Sequence, residues 1–147
     1  MSDETEAPAR LRAGSHPPGG AEYALRPELV ALHGGEGGVR VVPRGAEEAA
    51  GAAAGPVYAL PGGTLAVPTG RVLLRFREGV DAAARAEEVR GAGFRLEGAL
   101  PHAPHAAWVA PESGGIADAL RGIGRLLRLA EVEGADPELL SERAFRG

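Results

Sequence analysis

An α+β fold is what this sequence predicts, and the prediction rests on its second half. Residues 69–80, TGRVLLRFREGV, alternate apolar and polar side chains with the period of two that marks a half-buried strand. Ile116, Leu120, Ile123 and Leu127 fall on one stripe of a helix. From 69 to 134 the pattern reads strand, helix, strand, strand, helix, strand. Two helices on one face of a four-stranded antiparallel sheet is the split βαβ, ferredoxin-like arrangement, and it leaves the opposite sheet face uncovered.

The elements follow in chain order. Residues 1–20 are polar, acidic at the start and rich in Pro and Gly, a composition that predicts disorder. Residues 21–68 read as a β-rich extension. It carries candidate strands at Tyr23–Leu32 and Val39–Val42, separated by GGEGG (34–38) as a hairpin loop or flexible link. AEEAAGAAAG (46–55) reads as a linker rather than a helical turn, because its glycines disfavour helix. VYAL (57–60) and TLAV (64–67) flank the turn PGG (61–63) as a hairpin, and Pro68 turns the chain into the main unit.

The main unit spans 69–140. In its first strand Val72, Leu74 and Phe76 form the apolar face, opposite Arg71, Leu73, Arg75 and Arg77. Asp81 is suited to cap a helix over Ala82–Arg90, which Gly91 and Gly93 end. Phe94–Leu100 and Ala106–Ala110 are the second and third strands, joined by the loop PHAPH (101–105). Ser113 caps a second helix running to about Leu129, with Arg121, Arg125 and Arg128 outside. Glu131–Gly134 is a short last strand that Asp136-Pro137 breaks, and 141–147 is an extended tail.

Composition narrows the function. A length of 147 residues fits one domain of ordinary size. The net charge of −4 argues against a nucleic-acid partner. All sixteen basic residues are arginine, and cysteine is absent, which excludes disulfides, thiol catalysis and cysteine metal sites. No apolar run approaches a membrane span, and the first twenty residues lack the apolar core of a secretory signal. If Met1 is the native start, a cytoplasmic location is expected.

Nothing in the sequence assembles into catalytic chemistry. The serines are Ser2, Ser15, Ser113 and Ser141, and no GxSxG motif is present. His102 and His105 have the spacing of a metal pair, but no third and fourth ligand is indicated, so no metal or other cofactor is expected. The glycine clusters match no phosphate-binding loop. The arginines Arg71, Arg75, Arg77 and Arg95 read either as a solvated sheet face or as a surface that meets phosphates or acidic side chains. Trp108 points opposite to Val109. If Val109 faces the helices, Trp108 lies on the open face near Leu73 as a binding anchor; in the other register it is core.

Residues 69–147 resemble the propeptide of subtilisin-like serine proteases, the peptidase-inhibitor propeptide family. The resemblance is carried by TGRVLLRFREGV with Phe76 and Gly79, the alanine-rich helix, the APHAAWV strand, the second helix and the closing Glu131-Val132-Glu133-Gly134-Ala135-Asp136-Pro137-Glu138. Glu138 stands where the family has asparagine, and Gly134 where it has a bulky residue.

The resemblance implies an inhibitor and folding chaperone of such a protease, acting in cis before cleavage or as a separate chain. Its open sheet face, with Leu73, Arg75, Trp108 and Glu138, would dock on the protease. Its tail, Ser141, Glu142, Arg143, Ala144, Phe145, Arg146 and Gly147, would enter the substrate cleft by strand addition, with Phe145 or Ala144 in an apolar pocket. The alternative is a ferredoxin-like regulatory or adaptor domain in a larger complex, which fold alone does not separate from an inhibitor.

Overall fold

The computed structural model describes residues 7–13, 21–33, 39–44 and 53–141. The expected loop at 34–38, the tail beyond Ser141, and most of the expected N-terminal disorder and of the 46–55 linker lie outside the described residues.

Among the described residues, ten strands and three short α-helices follow one another. They are β1 (Arg10–Ala13), β2 (Ala21–Leu25), β3 (Leu29–His33), β4 (Arg40–Pro43), β5 (Ala53–Gly55), β6 (Tyr58–Ala59), β7 (Leu65–Phe76), α1 (Ala86–Gly91), β8 (Phe94–Leu100), β9 (Ala103–Pro111), α2 (Ile116–Arg121), α3 (Ile123–Leu127) and β10 (Val132–Ser141). A seven-stranded antiparallel sheet runs β1-β2-β6-β7-β9-β8, with β10 paired to β7. A separate three-stranded sheet has the order β4-β3-β5. Among the described residues, no helix is long and apolar enough to cross a membrane.

This architecture overturns the ferredoxin-like expectation of four strands, two helices and an appended hairpin. Strands dominate, and β1, β2 and β6 join the main sheet. The reason lies in β7, which is twelve residues long and begins before the expected boundary. Its first residues pair with β6, Tyr58 opposite Ala66, and its second half pairs with β9, Val72 opposite Val109. Along its other edge β10 follows it from Phe76 back to Ala66. β1, within the stretch expected to be disordered, pairs with β2. The expected single strand Tyr23–Leu32 is two strands belonging to different sheets.

Both prolines expected to interrupt strands lie inside them. Pro68 falls in the gap between the β6-paired and β9-paired stretches of β7, where its lack of an N–H leaves no partner on that side unsatisfied. Pro137 lies on β10 beside a register shift, and among the described residues no strand pairs with the outer edge of β10.

The helices are shorter than the apolar stripe predicts. Asp81 does cap the first segment, its carboxylate accepting from the Ala83 N–H at 3.2 Å, but the opening turn, Ala82–Arg85, is a 3-10 helix ahead of α1. The second expected helix splits at Gly122 into α2 and α3. A Cβ at Gly122 would sit 2.6 Å from the Phe94 ring, so the break falls where the helical segment packs directly against β8. Ser113 lies outside α2, whose N-cap is Gly115. Its hydroxyl donates to Asp118 at 2.6 Å and accepts from the Gly115 N–H.

Three apolar clusters hold these layers together. The largest joins Val72, Leu74 and Phe76 of β7 with Phe94, Ala107 and Val109, and covers them with Ala82, Val89, Ala119 and Leu126 from the helical segments. A second packs Ala31 and Val39 of the small-sheet region on Val57, Val67 and Leu140. The third gathers Leu11, Tyr58 and Leu120 with Leu139. Tyr58 is fully buried and its hydroxyl donates to the Pro8 carbonyl at 2.6 Å, tying the β1 entry to β6; burial pushes the phenol well above its usual range.

Candidate functional site

Val72, Leu74, Phe76 and Val109 face the helical layer, so the period of two fixes what the other face carries. Leu73 lies directly opposite Trp108 across β7 and β9, and opposite Asp136 across β7 and β10. Gly98 of β8 faces Trp108 from the far side. Both Leu73 and Trp108 are half-buried, and among the described residues no helix packs over them. Of the two registers open for Trp108, the structure has the one that puts it on the open face.

Arg71 organises the charge there. Its guanidinium stacks over the Trp108 ring, 4.3 Å from the centroid. Glu97 and Glu138 flank it, each with a carboxylate oxygen 3.6 Å from a guanidinium nitrogen. Thr69 donates its hydroxyl to Glu138 at 2.7 Å and accepts the Arg71 N–H at 3.2 Å, fixing both ends of that pair. Arg75 approaches Asp136 at 3.9 Å, and Arg95 approaches Glu97 at 3.5 Å.

Of the expected site residues, Leu73, Arg75, Trp108 and Glu138 therefore share one face. Glu142, Arg143, Ala144, Phe145, Arg146 and Gly147 lie outside the described residues. Of the arginines read as one surface, Arg77 departs: it pairs with Glu131 together with Arg85 at the end of the sheet. These two partners, Arg85 first, hold the Glu131 carboxyl below the usual range.

Sequence reasoning missed Thr69, Glu97 and Asp136 as partners on the open face. Glu97 reaches it because it is the extra residue of a bulge between Leu96 and Gly98, which no period-two reading shows. Asp136 and Glu138 reach it because β10 continues through Pro137, where the sequence reads a strand end.

Elsewhere, His102 and His105 line a surface recess with Glu78 and Asp81. Among the described residues, no group of three or more His, Cys, Asp or Glu is arranged to hold a metal ion. His33 lies at a seam: its Nε2 is shielded from solvent without a hydrogen-bond partner, close to Gly55 of β5 and Ile116 of α2. Burial lowers its pKa.

No family model, curated protein or solved structure matches the chain.

Proposed function

We propose that this chain is a non-catalytic inhibitor and folding chaperone of a subtilisin-like serine protease, docking through its open sheet face and inserting its C-terminal tail in the substrate cleft. The observation that carries this reading is the pairing of Leu73 with Trp108 on a sheet face that no helix covers. A half-buried tryptophan with an arginine stacked on its ring is the kind of anchor that concentrates binding energy.

The strand beside that face also supports the reading. β10 pairs with β7 on one edge and ends at Ser141, where the tail begins. In this reading the tail adds to the protease cleft as a strand. The reading rests on this face and on the sequence resemblance, not on the four-stranded unit that the resemblance implies. The catalytic groups would belong to the partner.

Titration of a purified bacterial subtilisin with the full chain tests the proposal. Saturable inhibition, together with an increased yield when the denatured protease refolds in its presence, is expected. A chain that is simply digested, with no inhibition at any ratio, rejects it.

A further inference from the structure

We infer that Arg71 is a positioning residue, whose guanidinium holds the Trp108 indole in the orientation that the open face presents to a partner. What the indole meets rests on the inhibitor reading above, whereas the hold itself is a property of this chain alone.

The strand order carries the guanidinium over the ring. Arg71 lies on β7, Trp108 on β9 and Glu97 on β8, and β9 runs between the other two. Arg71 stands two residues from Leu73, the residue directly opposite Trp108, so it is a diagonal neighbour within reach of the indole. Its side chain reaches across β9 to bring Nε within 3.6 Å of the Glu97 carboxylate, and on the way it stacks 4.3 Å from the ring centroid. That Nε is shielded from solvent without a hydrogen bond. From β10, Glu138 approaches Nη1 at 3.6 Å. The Thr69 hydroxyl fixes Glu138 at 2.7 Å while accepting the Arg71 N–H. The arginine is thus tethered on two sides, by β8 and by β10.

Little else confines the indole. Leu73 lies beside it, but Gly98 opposite it on β8 has no side chain, and Ala106 and Ala110, the same-face positions before and after it on β9, are small. Without its cover, a half-buried tryptophan among such neighbours is free to change rotamer on the picosecond-to-nanosecond scale. Ordering a side chain on binding costs affinity, and one that is already ordered avoids that cost. Half-exposed ion pairs contribute little to global stability, so the group formed by Arg71, Glu97, Glu138 and Thr69 acts on the indole more than on the fold.

Trp108 is the single tryptophan of the chain, so its fluorescence reads the hold directly. In Arg71→Ala, time-resolved anisotropy of the indole is expected to gain a nanosecond component absent from the parent, with an unchanged far-ultraviolet spectrum and a thermal midpoint close to the parent's. Inhibition of a bacterial subtilisin is expected to weaken about three- to ten-fold in the same variant. Thr69→Val is expected to loosen the indole when introduced alone and to add nothing in the Arg71→Ala background, because it acts through the arginine. An indole as rigid in Arg71→Ala as in the parent overturns the inference, whatever happens to inhibition. A loosened indole with full potency also overturns it, as does a further loosening by Thr69→Val when Arg71 is already absent. No inhibition by the parent chain removes the inhibitor reading, and the anisotropy comparison alone then decides whether Arg71 holds the ring.

Discussion

Trp108 carries its weight through position rather than through the core. Its ring packs against Arg71 and beside Leu73 on the open face, so truncation removes a half-buried anchor without opening a cavity in the main cluster. Trp108→Ala is expected to cost about 2 kcal/mol in binding to a subtilisin, roughly a thirty-fold rise in the inhibition constant, with a thermal midpoint close to that of the parent. Gly122 has the opposite profile. A methyl group there collides with Phe94, so Gly122→Ala is expected to destabilise the fold by about 1–3 kcal/mol in a denaturant titration. His33 adds a pH dependence. Its folded pKa is lowered by burial, so the unfolded chain binds the extra proton more readily, and stability falls as pH drops below the ordinary histidine value of about 6.5. Melting curves between pH 7.5 and 5 are expected to show that fall. In His33→Gln the decline across this window should be smaller; an identical slope would remove His33 as its source.

β7 and β10 decide the architecture at the scale of elements. Their strand character was legible at the centre, where Val72, Leu74 and Phe76 alternate with Arg71, Leu73 and Arg75. Their lengths were not, because proline is a local signal and its tolerance depends on which edge it faces. Pro68 occupies a gap between two partners and Pro137 lies beside a register shift, neither of which a single strand reveals. The stripe Ile116, Leu120, Ile123, Leu127 has helical spacing yet belongs to two helices. Leu127 is 48% exposed, so the stripe does not bury as a unit. Face assignment survived these errors because alternation across one strand needs no knowledge of its ends. The ion pairs on the face were illegible because they depend on the β8 bulge and on the continuation of β10. At the opposite end of the sheet, Glu131 adopts a left-handed φ of 67° and holds both Arg77 and Arg85. Glu131→Gln is expected to lower the thermal midpoint at pH 7. The gap should narrow as acid protonates the parent carboxyl, since a carboxyl with a lowered folded pKa stabilises above its unfolded pKa and loses that effect as pH falls through the folded one.

The molecule as a whole buries its N-terminal strands against the same long strand that carries the open face. Val67 packs with Val57 and Ala31, and Leu139 packs with Leu11 and Tyr58. A fragment of residues 69–147 lacks every buried member of the second cluster and two of the three in the third, and is expected to show no cooperative thermal transition, whereas the full chain should show one; a sharply melting fragment would contradict this. The binding surface is therefore supported by the whole chain, even though its contact residues lie on β7, β8, β9 and β10. The central claim, that this surface and the tail together occupy a protease, is tested most directly by comparing the full chain with a chain ending at Ser141 as inhibitors of a bacterial subtilisin. The account predicts that the full chain inhibits, and that removing residues 142–147 weakens inhibition at least about ten-fold while the shortened chain still binds through its sheet face. Equal potency of the two chains, or no inhibition by either, would contradict it.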